Sequence, residues 1–389
     1  MISEERPAPS GSAATGLLFA APYSAVLLAV LLAGCTLPTL ETALQEQAPH
    51  ELQSFSLQHH SSDTPLSLSL TSPKARHDWI RKTSVVTTPE AVIHRDGVPV
   101  YGIRAQRGLL LGNNRLVQLD GAVEVVHLQE PSTVVTSERL RWDTHRGRMT
   151  MTINLTVKRE HVQASAGRAE LDFASEDLSF HDQVVVLDQS PQADDLRLEA
   201  TTLHWNLASG DLMAPGPVKA GQTAPGGAVQ SAQGFDLTGN SQQRWLELQA
   251  PVQLQTRQAG QWQAQDSVLW RLDRQQLDSP GLLEAQAGAL QVSGRSAMLD
   301  LKQGVLTIGE SCRFHQPGET LTAQQCRWNW QDRTILARGG VTLQREQYQQ
   351  ITRADQLQGR LGEDNILSLT APPQGHVTTE LELGLEPSG

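Results

Sequence analysis

The feature that most constrains this fold is a short motif that recurs along the chain. Two apolar residues, seven positions apart, flank a polar segment with the composition of a tight turn. The last clear copy pairs Trp328 with Ile335. Earlier copies contain the pairs Trp142/Met149, Leu171/Leu178, Trp205/Leu212, Trp270/Leu277 and Leu299/Leu306, with looser copies near Leu237 and Leu357. The copies begin about 30 residues apart, which predicts one supersecondary unit repeated along the body of the protein.

Between the motifs, apolar and polar side chains alternate with a period of two. The segment "MTMTINLTVK", residues 149–158, is the clearest case, and its alternation predicts a strand with one buried face. No apolar stripe with helical spacing follows residue 80. We therefore predict an all-β body in which antiparallel hairpin units stack in two facing sheets to form an elongated domain. The strand edges at the ends of such a stack can accept a strand from a partner protein.

The composition and the missing motifs exclude several functions. The chain carries a net charge of -11 and only five lysines, whereas a nucleic-acid-binding protein usually has a basic face. The sequence contains no nucleophile elbow, no zinc-protease motif, no phosphate-binding loop and no cysteine–histidine cluster. We therefore expect no enzymatic activity, no nucleic-acid partner, no metal and no cofactor. A structural or adhesion scaffold without lipid cargo is an alternative, and a β-helix enzyme acting on polysaccharides is a less favoured one.

The N-terminus has the features of a targeting or anchoring segment. Residues 16–34 contain no charge, and Cys35 follows them directly. The last four residues, 32–35, resemble the lipobox of bacterial lipoproteins, in which the cysteine receives a lipid. Nineteen uncharged residues can also cross a bilayer as an uncleaved helix, because the apolar core is about 30 Å thick. A buried helix is a third interpretation. Residues 36–79 are rich in Ser, Thr, Pro and Gln, and we expect a flexible linker there.

Four segments resemble strands of the LptC-type lipopolysaccharide export proteins and of the related LptA/OstA domains. They are "DGVPVYGIRA" (96–105), "VQLDGAVEVVH" (117–127), "SERLRWDTHRGRM" (137–149) and "ARGGVTL" (337–343). With this resemblance the chain divides into three parts. They are an anchor (1–35), a linker (36–79) and an extended body (80–389), in which 80–190 is LptC-like and 191–389 adds further OstA-like repeats. The body is longer than a typical LptC domain.

The resemblance implies a V-shaped β-jellyroll with an apolar interior, located in the periplasm and anchored to the inner membrane through Cys35 or the N-terminal helix. Such a protein accepts lipopolysaccharide from an inner-membrane ABC transporter and passes its acyl chains toward the outer membrane. The implied partners are LptF/LptG-like permease subunits with an LptB-like ATPase, and an LptA-like or LptD-like jellyroll joined by edge-strand addition. The acidic net charge favours recognition through acyl chains over a clamp on phosphate groups.

The candidate site consists of the apolar positions that the alternation places on the inner face. These residues line either a lipid groove or an ordinary closed core, and they are Trp142, Met149, Met151, Ile153, Leu155, Val157, Trp205, Leu246, Leu248, Trp270, Trp328, Val341 and Leu343. Arg139, Arg141, Arg168 and Arg197 either touch phosphate at a groove mouth or lie solvated on the outer face. Cys312 and Cys326 lie in consecutive units and form either a disulfide, which an oxidising compartment would favour, or two buried thiols.

Overall fold

A computed structural model describes residues 49–60, 65–129, 133–191, 195–222, 229–362, 366–370 and 377–381. All of them belong to one compact unit, residues 47–389. The described secondary structure consists of antiparallel strands. The strands are β1 His50–His60, β2 Leu66–Asp78, β3 Thr83–Thr87, β4 Glu90–Arg95, β5 Val98–Arg104, β6 Arg107–Leu111, β7 Leu116–His127, β8 Thr133–Asp143, β9 Arg148–Arg159, β10 Val162–Asp172, β11 Asp177–Asp188, β12 Leu196–Asn206, β13 Asp211–Ala214, β14 Val218–Gln222, β15 Val229–Gly234, β16 Leu237–Asn240, β17 Trp245–Leu248, β18 Val252–Thr256, β19 Gly260–Ala264, β20 Val268–Arg271, β21 Gln276–Ala287, β22 Leu290–Asp300, β23 Val305–Gln316, β24 Glu319–Ala323, β25 Gln325–Asn329, β26 Thr334–Arg345, β27 Gln350–Leu361, β28 Ile366–Thr370 and β29 Val377–Leu381.

The seven-residue motif is a hairpin whose two apolar residues are cross-strand partners. Trp142 lies opposite Met149 across the β8–β9 turn, and Trp328 lies opposite Ile335 across the β25–β26 turn. The other four predicted pairs have the same register. Directly opposed side chains on one face of an antiparallel pair touch each other, which explains why both positions are apolar. The structure adds the pairs Leu110/Val117 and Gly239/Leu246, and the second escaped notice because glycine replaces its first apolar residue.

Most long strands change partners halfway along their length. In β7, residues 116–120 pair with β6, whereas residues 124–127 pair with β5. The change occurs at Gly121 and Ala122, which both have positive φ angles. Similar register shifts interrupt β9, β11 and β26, where the unpaired residues again adopt left-handed backbone angles. Such bulges bend a strand. They form a line along the molecule, which we call the corner.

The corner divides the strands into two half-sheets. Half-sheet I contains the strand segments next to the motif turns, such as residues 116–120 of β7, and half-sheet II contains the segments beyond the corner, such as residues 123–127. The two half-sheets face each other, because the rings of Phe314 in half-sheet II and Trp328 in half-sheet I lie 6.0 Å apart. The predicted all-β, elongated antiparallel jellyroll class is confirmed.

The predicted flexible linker, residues 36–79, is wrong for much of its length. It contains β1 and β2, and Leu66, Leu68 and Leu70 on β2 are buried in the core. The serines between these leucines gave the segment a linker-like composition, but their alternation with leucine is that of a strand. The anchor (1–35), with Cys35, lies outside the described residues. Among the residues that are described, no helix is long and apolar enough to cross a membrane.

Candidate functional site

The interior between the two half-sheets contains nearly all the predicted groove residues. Half-sheet I contributes a first group, and half-sheet II contributes a second group. The first group is Trp142, Met149, Met151, Trp205, Leu246, Leu248, Trp270 and Trp328, and the second is Leu155, Val157, Val341 and Leu343. Each of these twelve residues is at most 5% exposed. Together they belong to one continuous apolar core that includes residues from β2 to β27.

Ile153 was predicted to lie in this interior, and that prediction is wrong. Its side chain is 50% exposed. Ile153 and Asn154 both have positive φ angles and form the bulge where β9 crosses the corner. The bulge points Ile153 outward, and the alternation resumes with Leu155 on the inner face. Period-two counting fails there because the strand is not regular.

Several interior aromatic residues were missed by the motif search. Phe173 and Phe314 are almost fully buried, and Trp262 on β19 lies in half-sheet II. Trp262 donates its indole N–H to the Thr256 hydroxyl at 3.0 Å. Only the local alternation of "GQWQA" could have indicated Trp262, because it lies away from the motif turns.

The four recurring tryptophans differ in their hydrogen bonding. The indole N–H of Trp205 donates to the Ser241 hydroxyl at 3.2 Å. Those of Trp142, Trp270 and Trp328 are buried and find no acceptor within the described parts of the chain. A buried donor without an acceptor costs roughly 1–3 kcal/mol. Each of these three indole N–H groups could therefore donate a hydrogen bond to an oxygen atom brought into the interior.

Opposite the corner, the turns of the two half-sheets meet along a second line, which we call the seam. At one point the guanidinium of Arg95, on β4, donates hydrogen bonds to the Glu176 carboxylate and to the Phe173 carbonyl oxygen. Both acceptors lie in the β10–β11 turn. At another, Arg159 of β9 donates to the Leu207 carbonyl oxygen at 3.1 Å and lies over the Trp205 ring. Each contact joins half-sheet II to a turn of half-sheet I by polar side chains.

A third seam contact contains a charged cluster. The Arg244 guanidinium, in the β16–β17 turn, lies 2.9 Å from the Asp188 carboxylate at the end of β11. His161 lies 3.3 Å from both side chains. The Arg244 and Asp188 side chains are only 22% and 12% exposed. A fourth contact, from the Gln316 side-chain amide to the Gly362 carbonyl oxygen at 3.4 Å, lies farther toward the C-terminus.

A small cavity lies directly behind the charged cluster. Its volume is about 60 Å³, and both half-sheets line it. Val162, Leu198 and Leu203 are among its apolar walls, together with Trp205 and Leu246 from the predicted set. A water molecule needs only about 10–15 Å³ of such volume. The cavity is lined mainly by apolar side chains, with Arg244 and Asp188 among its polar lining residues.

Three of the four candidate arginines have acidic neighbours on the outer face. Arg139 donates to Asp120 at 2.6 Å, and Arg197 donates to Glu199 at 2.7 Å. Arg168 lies 3.4 Å from Glu170. Burial tends to raise the pKa of Asp120, but hydrogen bonds from Gln118 and Arg139, with the charge of Arg139, bring that pKa below its usual value. Arg139, Arg168 and Arg197 therefore each face an acidic side chain, and Arg141 is exposed on the same strand as Arg139.

Cys312 and Cys326 are joined as a disulfide, with Cα atoms 6.0 Å apart. Cys312 lies on the half-sheet II segment of β23, opposite Ala323, whereas Cys326 lies on β25 in half-sheet I, opposite Ile308. The bond therefore links the two half-sheets close to the corner, in the buried interior. Within the described residues, His, Cys, Asp and Glu side chains form no group of three or more that could hold a metal ion.

The fold and its interior define an antiparallel jellyroll of the kind that encloses an apolar core between two half-sheets. Residues 23–160 match the model of one protein family, described as lipopolysaccharide-assembly, LptC-related, which confirms the resemblance for this segment. The match begins inside the uncharged N-terminal stretch and includes the segment that was expected to be a linker. No curated protein matches the chain significantly. The LptC-related family comprises transport proteins of the periplasm that associate with the inner membrane.

Proposed function

We propose that this protein accepts lipopolysaccharide from an inner-membrane ABC transporter and passes its acyl chains along the jellyroll interior toward the outer membrane. The observation that carries the proposal is the continuous apolar interior between two half-sheets, which the described residues join covalently along the corner and by side-chain contacts along the seam. The match of residues 23–160 to the LptC-related family supports the same conclusion.

The physical basis is burial of methylene groups. Each buried methylene contributes about 0.8 kcal/mol, so an acyl chain of about a dozen carbons contributes on the order of 10 kcal/mol without any charged contact. The apolar walls and the cavity behind Arg244 and Asp188 supply that environment. The unpaired indole N–H groups of Trp142, Trp270 and Trp328 can donate to ester or amide oxygens of such a ligand.

Loading requires the seam to separate, because side chains fill the interior of the protein without cargo. The described seam contacts are polar and can be replaced by water when they break, whereas opening the corner would require breaking backbone pairing. We therefore place the lateral opening for acyl chains at the seam. Among the described residues, β1 pairs only with β2 and β29 pairs only with β27, and such edges suit strand addition by transporter subunits and by a following jellyroll.

Photocrosslinking tests the proposal directly. A photoreactive residue placed at Leu248, on the inner face, should form lipopolysaccharide adducts in cells. The same residue at Ile153 is the matched control, because Ile153 lies at the corner and faces solvent. Adducts at Leu248 and none at Ile153 support an interior path. Equal adducts at both positions, or none at either position in a folded protein, would contradict transport of lipopolysaccharide through the interior.

We also propose that the protein is tethered to the inner membrane through its first 35 residues, either by a lipid on Cys35 or by an uncleaved helix. The uncharged stretch and the lipobox-like residues 32–35 support this proposal. Intact-mass measurement of the mature protein separates the two forms. A chain that begins at Cys35 with attached acyl groups indicates a lipoprotein, whereas a chain that begins at Met1 indicates a helix. A mature chain that begins after Cys35 would contradict both forms.

A further inference from the structure

One turn of the jellyroll exposes large apolar side chains. Residues 79–82 connect β2 to β3, and we call the segment Lys74–Lys82 the basic tip. Trp79 is 65% exposed and Ile80 is 69% exposed, and they are consecutive in the chain. Trp79 packs one side against the His77 ring, with ring centroids 4.2 Å apart, and leaves the rest of its surface in solvent.

The later turns of half-sheet I have the opposite arrangement. From Thr144 onward, the first residue of each such turn donates its backbone N–H to the preceding turn, as Thr144 does to Arg115 and Phe173 does to Gly147, and its side chain is buried or half-buried. In the tip the seven-residue pair is His77 and Ser84, which are polar and hydrogen-bonded at 2.8 Å. In later units the cross-strand pair is apolar, whereas in the tip that pair is polar and the apolar residues Trp79 and Ile80 lie in the turn. This inversion is not needed for packing and indicates an external contact.

The charges around the exposed pair are mainly positive. The basic tip contains Lys74, Arg76, Arg81 and Lys82, with Asp78 as its one acid. Asp78 lies 3.5 Å from Arg81, and Glu51 on β1 lies opposite Arg76. The whole chain has a net charge of -11 and only five lysines, two of which are in this short segment. Tryptophan and isoleucine flanked by lysine and arginine suit the headgroup region of a membrane with anionic lipids.

The tip also lies beside the start of the first described strand. His50 begins β1 and is the cross-strand partner of His77, which lies two residues before Trp79 in sequence. Fourteen residues separate Cys35 from His50, and a fully extended chain of that length reaches at most about 50 Å. A bilayer that holds the uncharged N-terminal stretch is therefore within reach of the tip.

We propose that the basic tip docks on an anionic phospholipid surface, with Trp79 and Ile80 inserted among the headgroups and acyl-chain ends. Docking would fix the first turn of the jellyroll at the membrane from which the chain is tethered. The proposal uses the proposed N-terminal tether but does not depend on carriage of lipopolysaccharide.

Quenching of tryptophan fluorescence by brominated lipids tests the docking. The full chain is reconstituted into phosphatidylcholine bilayers with brominated acyl chains, with or without phosphatidylglycerol. Trp79→Phe should lose most of the quenching seen for the unaltered protein. Trp330→Phe is the matched control, because Trp330 occupies the first position of a later turn and is half-buried. It should leave the quenching unchanged.

A charge-reversal variant tests the lipid class. Arg81→Glu with Lys82→Glu should remove the increase in quenching that phosphatidylglycerol produces, while circular dichroism remains that of the unaltered protein. Equal quenching in unaltered protein and in Trp79→Phe would overturn the docking proposal. So would shielding of Trp79 from aqueous iodide only when transporter subunits are added, because the tip would then bind protein. Photocrosslinking at Leu248 tests carriage of lipopolysaccharide, so its outcome does not depend on whether the tip docks on the membrane.

Discussion

The corner and the seam are the two lines along which the half-sheets meet, and they are built from different interactions. The corner consists of continuous backbone, bent at bulges such as Gly121–Ala122, and is reinforced by the buried disulfide Cys312–Cys326. The seam is formed by side chains such as Arg159 and Arg244, which reach across to the opposite turns. The first line is therefore held by covalent bonds, whereas the described contacts of the second are formed by side chains, and we propose that only the second opens.

Under the proposed function, this difference lets one interior serve both as a packed core and as a lipid path. A protein without cargo must exclude water from its apolar residues, and the seam contacts accomplish that by bringing the two sets of turns together. A bound acyl chain would replace the lost side-chain contacts with its own methylenes. Variants that change only the corner or only the seam distinguish the contribution of each line to stability and to lipid loading.

The largest expected effect comes from locking the seam covalently. The variant Asp188→Cys with Arg244→Cys places two thiols across the charged cluster. Oxidised, it should reduce lipopolysaccharide adducts at Leu248 to background, and reduction should restore them. The matched control is Asp120→Cys with Arg139→Cys, which joins two strands within half-sheet I. Unchanged adducts in the locked seam variant would show that lipid does not enter there.

Removing the disulfide tests the corner. The variant Cys312→Ala with Cys326→Ala opens a loop of fourteen residues, for which chain entropy predicts a loss of about 3 kcal/mol in the free energy of unfolding. Denaturant unfolding under oxidising conditions measures this loss, and reduced wild-type protein should be destabilised similarly. Adducts at Leu248 should persist in the folded variant, because the seam is intact. A stability unchanged within error would contradict a bond that restrains the corner.

Weakening one seam contact should have a smaller effect. Asp188→Asn removes the carboxylate charge that faces Arg244 and His161 while keeping the side-chain shape. Because the pair is largely buried, we expect a loss of about 1–2 kcal/mol and faster hydrogen exchange in the β16–β17 turn. Asp120→Asn is the matched control on the exposed outer face and should cost less than about 1 kcal/mol. Equal losses would indicate that the cluster does not close the seam.

The smallest effect concerns two interior tryptophans. Trp205→Phe removes a ring and a hydrogen bond to Ser241, which lies in a seam turn. Trp270→Phe removes the same ring volume, but its indole N–H has no acceptor among the described residues. We expect Trp205→Phe to be more destabilising, by about 1 kcal/mol, because only Trp205 loses a hydrogen bond. Thermal unfolding of both variants gives the comparison, and the reverse order would contradict it.

The sequence allowed the local unit to be predicted well. Six pairs of apolar residues, each seven apart, all proved to be cross-strand partners, because a tight turn fixes the register of the two strands that it joins. Burial of Met149, Met151, Leu155 and Val157 also followed from alternation. These features depend on residues that are close in sequence, so they can be predicted from one sequence alone.

The corner and the seam could not be predicted in the same way. The bulge that exposes Ile153 has no glycine to mark it, so period-two counting ran through it. Arg95 and Glu176 are 81 positions apart, and Arg244 and Asp188 are 56 apart. Such contacts depend on how the half-sheets twist and face each other, which no local pattern encodes. The serine-rich composition around Leu66, Leu68 and Leu70 hid a strand for a different reason, since composition alone does not show alternation.

The central claim is that the seam opens for lipid while the corner remains fixed, and a distance measurement tests it most directly. Genetically encoded spin labels at Asp96 and Ser175 report on the seam beside Arg95 and Glu176, and labels at Asn154 and Asp182 report on the corner. Pulsed electron paramagnetic resonance should show a longer, broader distance for the seam pair when lipopolysaccharide is added, and an unchanged distance for the corner pair. A seam distance that stays constant while lipopolysaccharide is bound would contradict the account.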